Sequence, residues 1–166
     1  MTYKGLPLLV EAMERLRDGG ILATLGIYGE GDLGALRSRI AALGATVVDR
    51  WIEHGEIGGI LAQHDVVVLP YIEASQSGVT PAAHGAGLPV IVTPVGGLAD
   101  QVRHGVDGLV TATSTAPAIA DAIAALATDR ALEKRLRAGA AETRSFDVPA
   151  FANRLRELAL GAPDPR

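Results

Sequence analysis

The sequence predicts an α/β domain built on a doubly wound parallel sheet. Three observations carry this expectation. Short β-branched runs alternate with helical segments along the chain, the signature of parallel strands joined by helical crossovers. In the first of two β-branched runs, 66–69 and 89–92, Val66, Val67 and Val68 are apolar without alternation, as a strand covered on both faces requires. Glycine-rich turns at 29–31, 75–78 and 96–97 each follow a strand. Such turns share one edge of the sheet, the carboxyl edge, where folds of this class hold ligands.

The elements follow in order. Leu9, Val10, Met13 and Leu16 recur at helical spacing, so 5–17 is an amphipathic helix, stopped by Gly19-Gly20. Residues 21–28 form the first strand, closed by the turn Gly29-Glu30-Gly31. Asp32 caps a helix over 33–43, which Gly44 ends. A strand at 46–50, a helix at 57–64 and a strand at 66–69 come next. A helix near 79–86 leads to the strand at 89–92. Gly96-Gly97 starts a short helix through Val102, and a polar turn at 104–108 precedes Leu109-Val110. Helices at 116–127, 130–146 and 149–160 complete one domain over 1–160, with a frayed tail at 161–166.

The stretch from Pro70 to Gly97 organises the rest. Its turn, Ser75-Gln76-Ser77-Gly78, opens a helix whose first N–H groups lack internal partners and lie at the positive end of the helix dipole. That geometry collects anions, phosphate above all.

Composition excludes several classes. With no cysteine there are no disulfides, no thiolate catalysis and no Cys-ligated metal. A net charge of −4 argues against non-specific nucleic-acid binding, which rewards a basic face. No apolar run is long enough to span a bilayer, and Met1 to Gly5 has no signal-peptide core. The expected location is cytoplasmic. His54, His64, His84 and His104 have no metal-ligand spacing; His84, within two turns of the phosphate loop, either packs in the core or points into the cleft. Gly29-Glu30-Gly31 lacks the full dinucleotide fingerprint and is read as cleft lining.

The motifs KG, LLVEAMERL, IYGEG, DVVVLPY, SQSGV, GLPVIVTPVGG and GVDGLV together resemble the C-terminal half of family 4 glycosyltransferases of the GT-B fold, over nearly the whole chain. The resemblance implies a Rossmann-like half that binds a nucleotide-diphospho-sugar. It further implies a separate N-terminal half for the acceptor, absent from this chain, and retaining transfer in the cleft without a metal. Any contact with a membrane would be peripheral and made through that other half.

By the same resemblance, Lys4 contacts the donor diphosphate, where its charge would offset the charge that builds on the leaving group. The competing reading is an exposed lysine opening a helix. Ser77, Gly78 and Val79 supply phosphate-holding amides, Gly78 allowing close backbone approach. Gln76 stands where an aromatic is usual and turns its amide to sugar or phosphate. Arg50, Trp51 and Ile52 lie along the base, and Gly29 lines the cleft. Trp51, the only tryptophan, is alternatively a core residue.

Two departures accompany the resemblance. The family's paired glutamates, eight residues apart, fall on Ala74 and Ala82, with Glu73 one residue early as a partial substitute for the first. Asp100 fills the acidic place after the double glycine as a helix-start residue. The family's opening strand, central in the usual order, has no counterpart before Lys4. The strands at 21–28 and 66–69 then either pair directly or leave a slot through which chains self-associate. The alternative function is a non-catalytic nucleotide-binding or interaction module left by truncation or divergence.

Overall fold

Each strand returns to the sheet through a helix or a 3₁₀ turn, so all strand pairing among the described residues is parallel. The computed structural model describes residues 2–143. The expected helix at 149–160, the end of that at 130–146 and the tail at 161–166 lie outside the described residues.

A 3₁₀ turn, Thr2–Lys4, leads into α1 (Leu6–Asp18). Then come β1 (Gly26–Tyr28), α2 (Arg37–Ala42), β2 (Thr46–Val48) and α3 (His54–Leu61). They are followed by β3 (Val67–Leu69), α4 (Val79–Gly85) and β4 (Val90–Val92). After the 3₁₀ helix Gly96–Gln101 come β5 (Gly108–Val110), α5 (Ala116–Thr128) and α6 (Arg130–Thr143), the last of the described elements.

The strands form two groups, β1–β2 and β3–β4–β5. Gly26 pairs with Thr46, Val67 with Val90, and Val90 with Gly108. Among the described residues β1 and β3 are not paired to each other. Each keeps one edge without a strand partner.

One core serves both groups. Leu9, Met13 and Leu16 of α1 and Ile119, Ile123 and Leu126 of α5 meet Ile91 and Leu109, with Ile27, Val66 and Val68 packed alongside. Val90 and Val92 face the other side, into Leu61, Leu69, Ala83, Leu88 and Leu98. The period of two in β4 thus feeds two covered faces, and all three of its residues are buried. Each large side chain so buried contributes about 1.5–3 kcal/mol. Val66, Val67 and Val68 are only half-buried, because among the described residues β3 has a strand neighbour on one side alone.

Several expected boundaries move. The strand predicted over 21–28 is paired only at Gly26–Tyr28, because residues 22–24 are exposed and Leu22 is 96% accessible. Strand pairing at 46–50 stops at Val48, where Asp49 turns to accept the Gly31 N–H instead. The third helix begins three residues early, at His54, because Glu53 and Glu56 close a capping box before it. Asp32 Oδ1 accepts the Gly34 N–H at 2.8 Å, but the segment it caps opens as a 3₁₀ turn, Gly34–Leu36.

Candidate functional site

At the carboxyl ends of β3 and β4 lies a cavity of about 710 Å³ lined by Tyr3, Glu73, Ala74, Ser75, Gly96 and Gly97. Its two walls approach backbone to backbone. A β-carbon on Gly96 would come within 2.0 Å of the Ala74 carbonyl oxygen, and one on Gly97 within 2.4 Å of the Ser75 carbonyl oxygen. Gly96 also has φ 46, the left-handed region. Glycine at both positions is therefore a steric requirement of the seam between the walls.

The start of the chain is fixed to the same edge. Tyr3 accepts the Ile72 N–H through its carbonyl at 2.8 Å, and its ring meets Tyr71 edge to face. Lys4 follows it, exposed, directly before the left-handed Gly5 that caps α1.

The loop at 75–79 is held from within. Gln101 Oε1 accepts the Ser77 N–H at 2.8 Å, and Gln101 Nε2 donates to the Ser77 carbonyl at 3.2 Å. Ser77 Oγ accepts the Val79 N–H at 3.2 Å. Two of the three predicted phosphate-holding amides thus already have acceptors within the protein. Gly78 is exposed and lies in the helical region, and a β-carbon placed on it would meet no atom within 4 Å. It introduces α4, which has seven residues. Gln76 is exposed, with its Cγ 3.9 Å from where a β-carbon on Gly97 would stand.

Gly29, at the end of β1, donates its N–H to the Val48 carbonyl at 3.0 Å, and Gly31 donates to Asp49 Oδ1 at 3.1 Å. Arg50 is engaged by its neighbours. It donates to Glu56 Oε2 at 2.8 Å, to Glu56 Oε1 at 2.6 Å and to the Trp51 carbonyl at 2.9 Å. The Arg50 guanidinium, and after it the Glu53 N–H, lower the Glu56 carboxyl to about 2. The Arg50 side chain therefore shapes the turn before α3. Trp51 is 70% exposed, not in the core, and Ile52 is half-buried beside it.

His84 belongs to a different place. It is buried on α4, with Nε2 3.9 Å from Asp107 Oδ1, and it does not line the cavity. Asp107 accepts from the Arg103 backbone N–H, Arg103 Nε and Thr143 Oγ1. His64 Nε2 meets Tyr28 Oη at 2.9 Å, and His104 Nδ1 accepts the Val110 N–H at 3.1 Å. Ala82 is half-buried on α4 against the β4 core cluster, whereas Ala74 and Glu73 line the cavity. Tyr3 and Gln101 were not among the predicted site residues. The place of Tyr3 beside the KG pair was the available signal for it, and Gln101 offered none.

The family described as Glycosyl transferases group 1 matches residues 1–129. The chain belongs to this family.

Within the family, the chain is 30% identical to a glycogen synthase of Mycobacterium tuberculosis, over 98% of this chain and 42% of that protein. It therefore spans less than half the length of the curated relatives it matches. Among solved structures, sucrose-phosphate synthase from Thermosynechococcus elongatus superposes with a TM-score of 0.74 at 26% identity, covering 96% of this chain and 42% of that one. HepE of Anabaena in complex with UDP and glucose superposes at 0.77 with 22% identity, covering 97% and 46%. The C-terminal domain of a group 1 glycosyl transferase, LpcC of Francisella tularensis, gives 0.74 at 18% identity, covering 86% and 78%. The parallel α/β layout is that of the Rossmann-like domains of GT-B glycosyltransferases.

Proposed function

We propose that this group 1 glycosyltransferase chain is the C-terminal, donor-binding half of a family 4 enzyme. Such an enzyme moves a sugar, with retention, from a nucleotide diphosphate to an acceptor held by a separate N-terminal domain. The observation that carries the reading is the cavity at the carboxyl ends of β3 and β4, walled by Glu73–Ser75 and Gly96-Gly97 in a chain of this family. That HepE has been crystallised with UDP and with UDP-glucose favours a uridine donor.

In this reading the diphosphate lies between Lys4 and the exposed Gly78 amide, with Gln76 and Glu73 beside the sugar. The base runs along the backbone at Arg50, Trp51 and Ile52, near Gly29. Charge that develops on the leaving diphosphate is met by Lys4 and by the Gly78 N–H, so no metal is required. A nucleotide-sugar donor suits a cytoplasmic setting; no helix among the described residues is long and apolar enough to cross a membrane.

Titration with UDP, GDP and their sugars tests this by thermal shift. Saturating ligand at a hundredfold over Kd raises stability by about 2.7 kcal/mol, and a shift with one nucleotide series is expected. Gly78→Leu, which the backbone accommodates, should remove the shift without lowering the unliganded Tm. No shift with any nucleotide would overturn the reading. The alternative, a non-catalytic nucleotide-binding module, is favoured by Ala74 and Ala82; binding without turnover when an acceptor half is supplied would select it.

We further propose that the unpaired edges of β1 and β3 admit a strand from another segment or a second copy. A strictly monomeric chain in light scattering at every concentration would exclude self-association through that slot.

A further inference from the structure

The loop at 73–78, of which Glu73, Ala74 and Ser75 line the cavity, is tied to residues 96–101 by one side chain. Gln101, the last residue of the 3₁₀ helix Gly96–Gln101, pairs with both polar groups of the Ser77 backbone. Among the described residues these two bonds are the hydrogen bonds that join the segments. Ser77 is 7% exposed and Gln101 half-buried, so the pairing is partly shielded from water, and leaving the Ser77 groups unpaired would be costly. The carboxamide is suited to it, since one face accepts from an N–H while the other donates to a carbonyl. A leucine, glutamate or lysine at 101 cannot do both. The glycines at 96 and 97 let the two backbones touch, and Gln101 then fixes their register.

We infer that Gln101 is a positioning residue for the donor diphosphate. By holding the peptide groups on both sides of Ser77 it removes that N–H from the ligand and sets the path of Gly78 and Val79, which follow the cavity-lining stretch Glu73–Ser75 along the chain. The inference rests on the donor-binding reading above, and it assigns the loop's order to a residue that has no counterpart among the predicted contacts. It also opposes a second arrangement, in which the Gln101 carboxamide is a stand-in for phosphate that the ligand displaces.

The test uses the full 166-residue chain and Gln101→Met, which keeps the side-chain length and loses both hydrogen bonds. UDP and uridine are titrated calorimetrically against each, with hydrogen exchange at the Ser77 amide and Tm measured in parallel. The expected result is faster Ser77 exchange and a UDP Kd weakened about tenfold, the scale of one or two net hydrogen bonds. Uridine affinity should stay within about twofold, as the base and ribose sit elsewhere. Unchanged UDP affinity with accelerated exchange overturns the inference and leaves the donor reading intact. Tighter UDP binding overturns it in favour of displacement. Parallel loss of UDP and uridine binding with a fall in Tm makes Gln101 merely structural. If the unaltered chain binds neither, the donor reading itself fails and the inference with it.

Discussion

A β-carbon on Gly5 would stand 1.7 Å from the carbonyl oxygen of Pro70, so the N-terminus of α1 is laid directly on the backbone at the end of β3. Gly5 also has φ 64, which only glycine adopts without strain. Gly5→Ala is expected to lose about 1–2 kcal/mol for the left-handed backbone alone, and the contact with Pro70 adds to it. Because Lys4 precedes this junction, nucleotide affinity should fall with stability. Urea unfolding and UDP titration of the same variant check both.

Acid should act on the turn before α3. The Glu56 carboxyl, ordinarily near 4.5, is held at about 2 by Arg50 and then by the Glu53 N–H. A lowered folded-state value means that the contribution is fully present above 4.5 and is lost as pH falls toward 2. Glu56→Gln should therefore be less stable than the parent at neutral pH, with the difference shrinking through that window. Denaturation midpoints measured stepwise in pH decide it; a constant difference would contradict the ion pair.

Asp107 and His84 should respond unequally to substitution. Asp107 is 1% exposed and binds two groups of Arg103 and the Thr143 hydroxyl. Asp107→Ala leaves the Arg103 backbone N–H without its acceptor, while the Arg103 side chain is half-exposed and Thr143 Oγ1 keeps the Gly139 carbonyl, and about 1–3 kcal/mol of stability should be lost. His84 Nε2 is buried without a hydrogen-bond partner among the described residues. His84→Met, which keeps the volume and removes the polar atom, should change stability by less than about 1.5 kcal/mol. Thermal melts of both variants test the contrast.

Tyr28 and His64 predict a further, local stability effect. Their rings meet edge to face at 5.4 Å, and the hydroxyl reaches the imidazole at 2.9 Å, tying β1 to the segment before β3 although no ladder joins these strands. Tyr28→Phe should cost about 0.5–1.5 kcal/mol, and hydrogen exchange should quicken at the unpaired edges of β1 and β3 rather than in β4. Uniform acceleration would refute a local tie.

What the sequence disclosed followed from local patterns. The continuous apolar runs at 66–69 and 89–92 marked β3 and β4, and glycines after strands marked the carboxyl edge, because both signals are local. Leu22 misled by its composition: an apolar residue reads as strand, yet it is 96% exposed where no neighbouring strand covers it. The pairing of Gln101 with Ser77 was invisible, since it joins residues 24 apart through a side chain with no repeating pattern. The use of the Ser77 and Val79 amides inside the loop was hidden for the same reason. The requirement for Gly5 was hidden too: it read as the first residue of the helix at 5–17, and its physical cause, Pro70, lies far along the chain.

Trp51 stands 70% exposed, and the chain has no other indole. Its fluorescence is consequently a private signal from the turn between β2 and α3, uncontaminated by the core. A nucleobase laid along that turn would quench or blue-shift the emission, and a denaturant would barely change its colour. The molecule thus carries its own optical gauge of base docking, read apart from whether the sheet is folded.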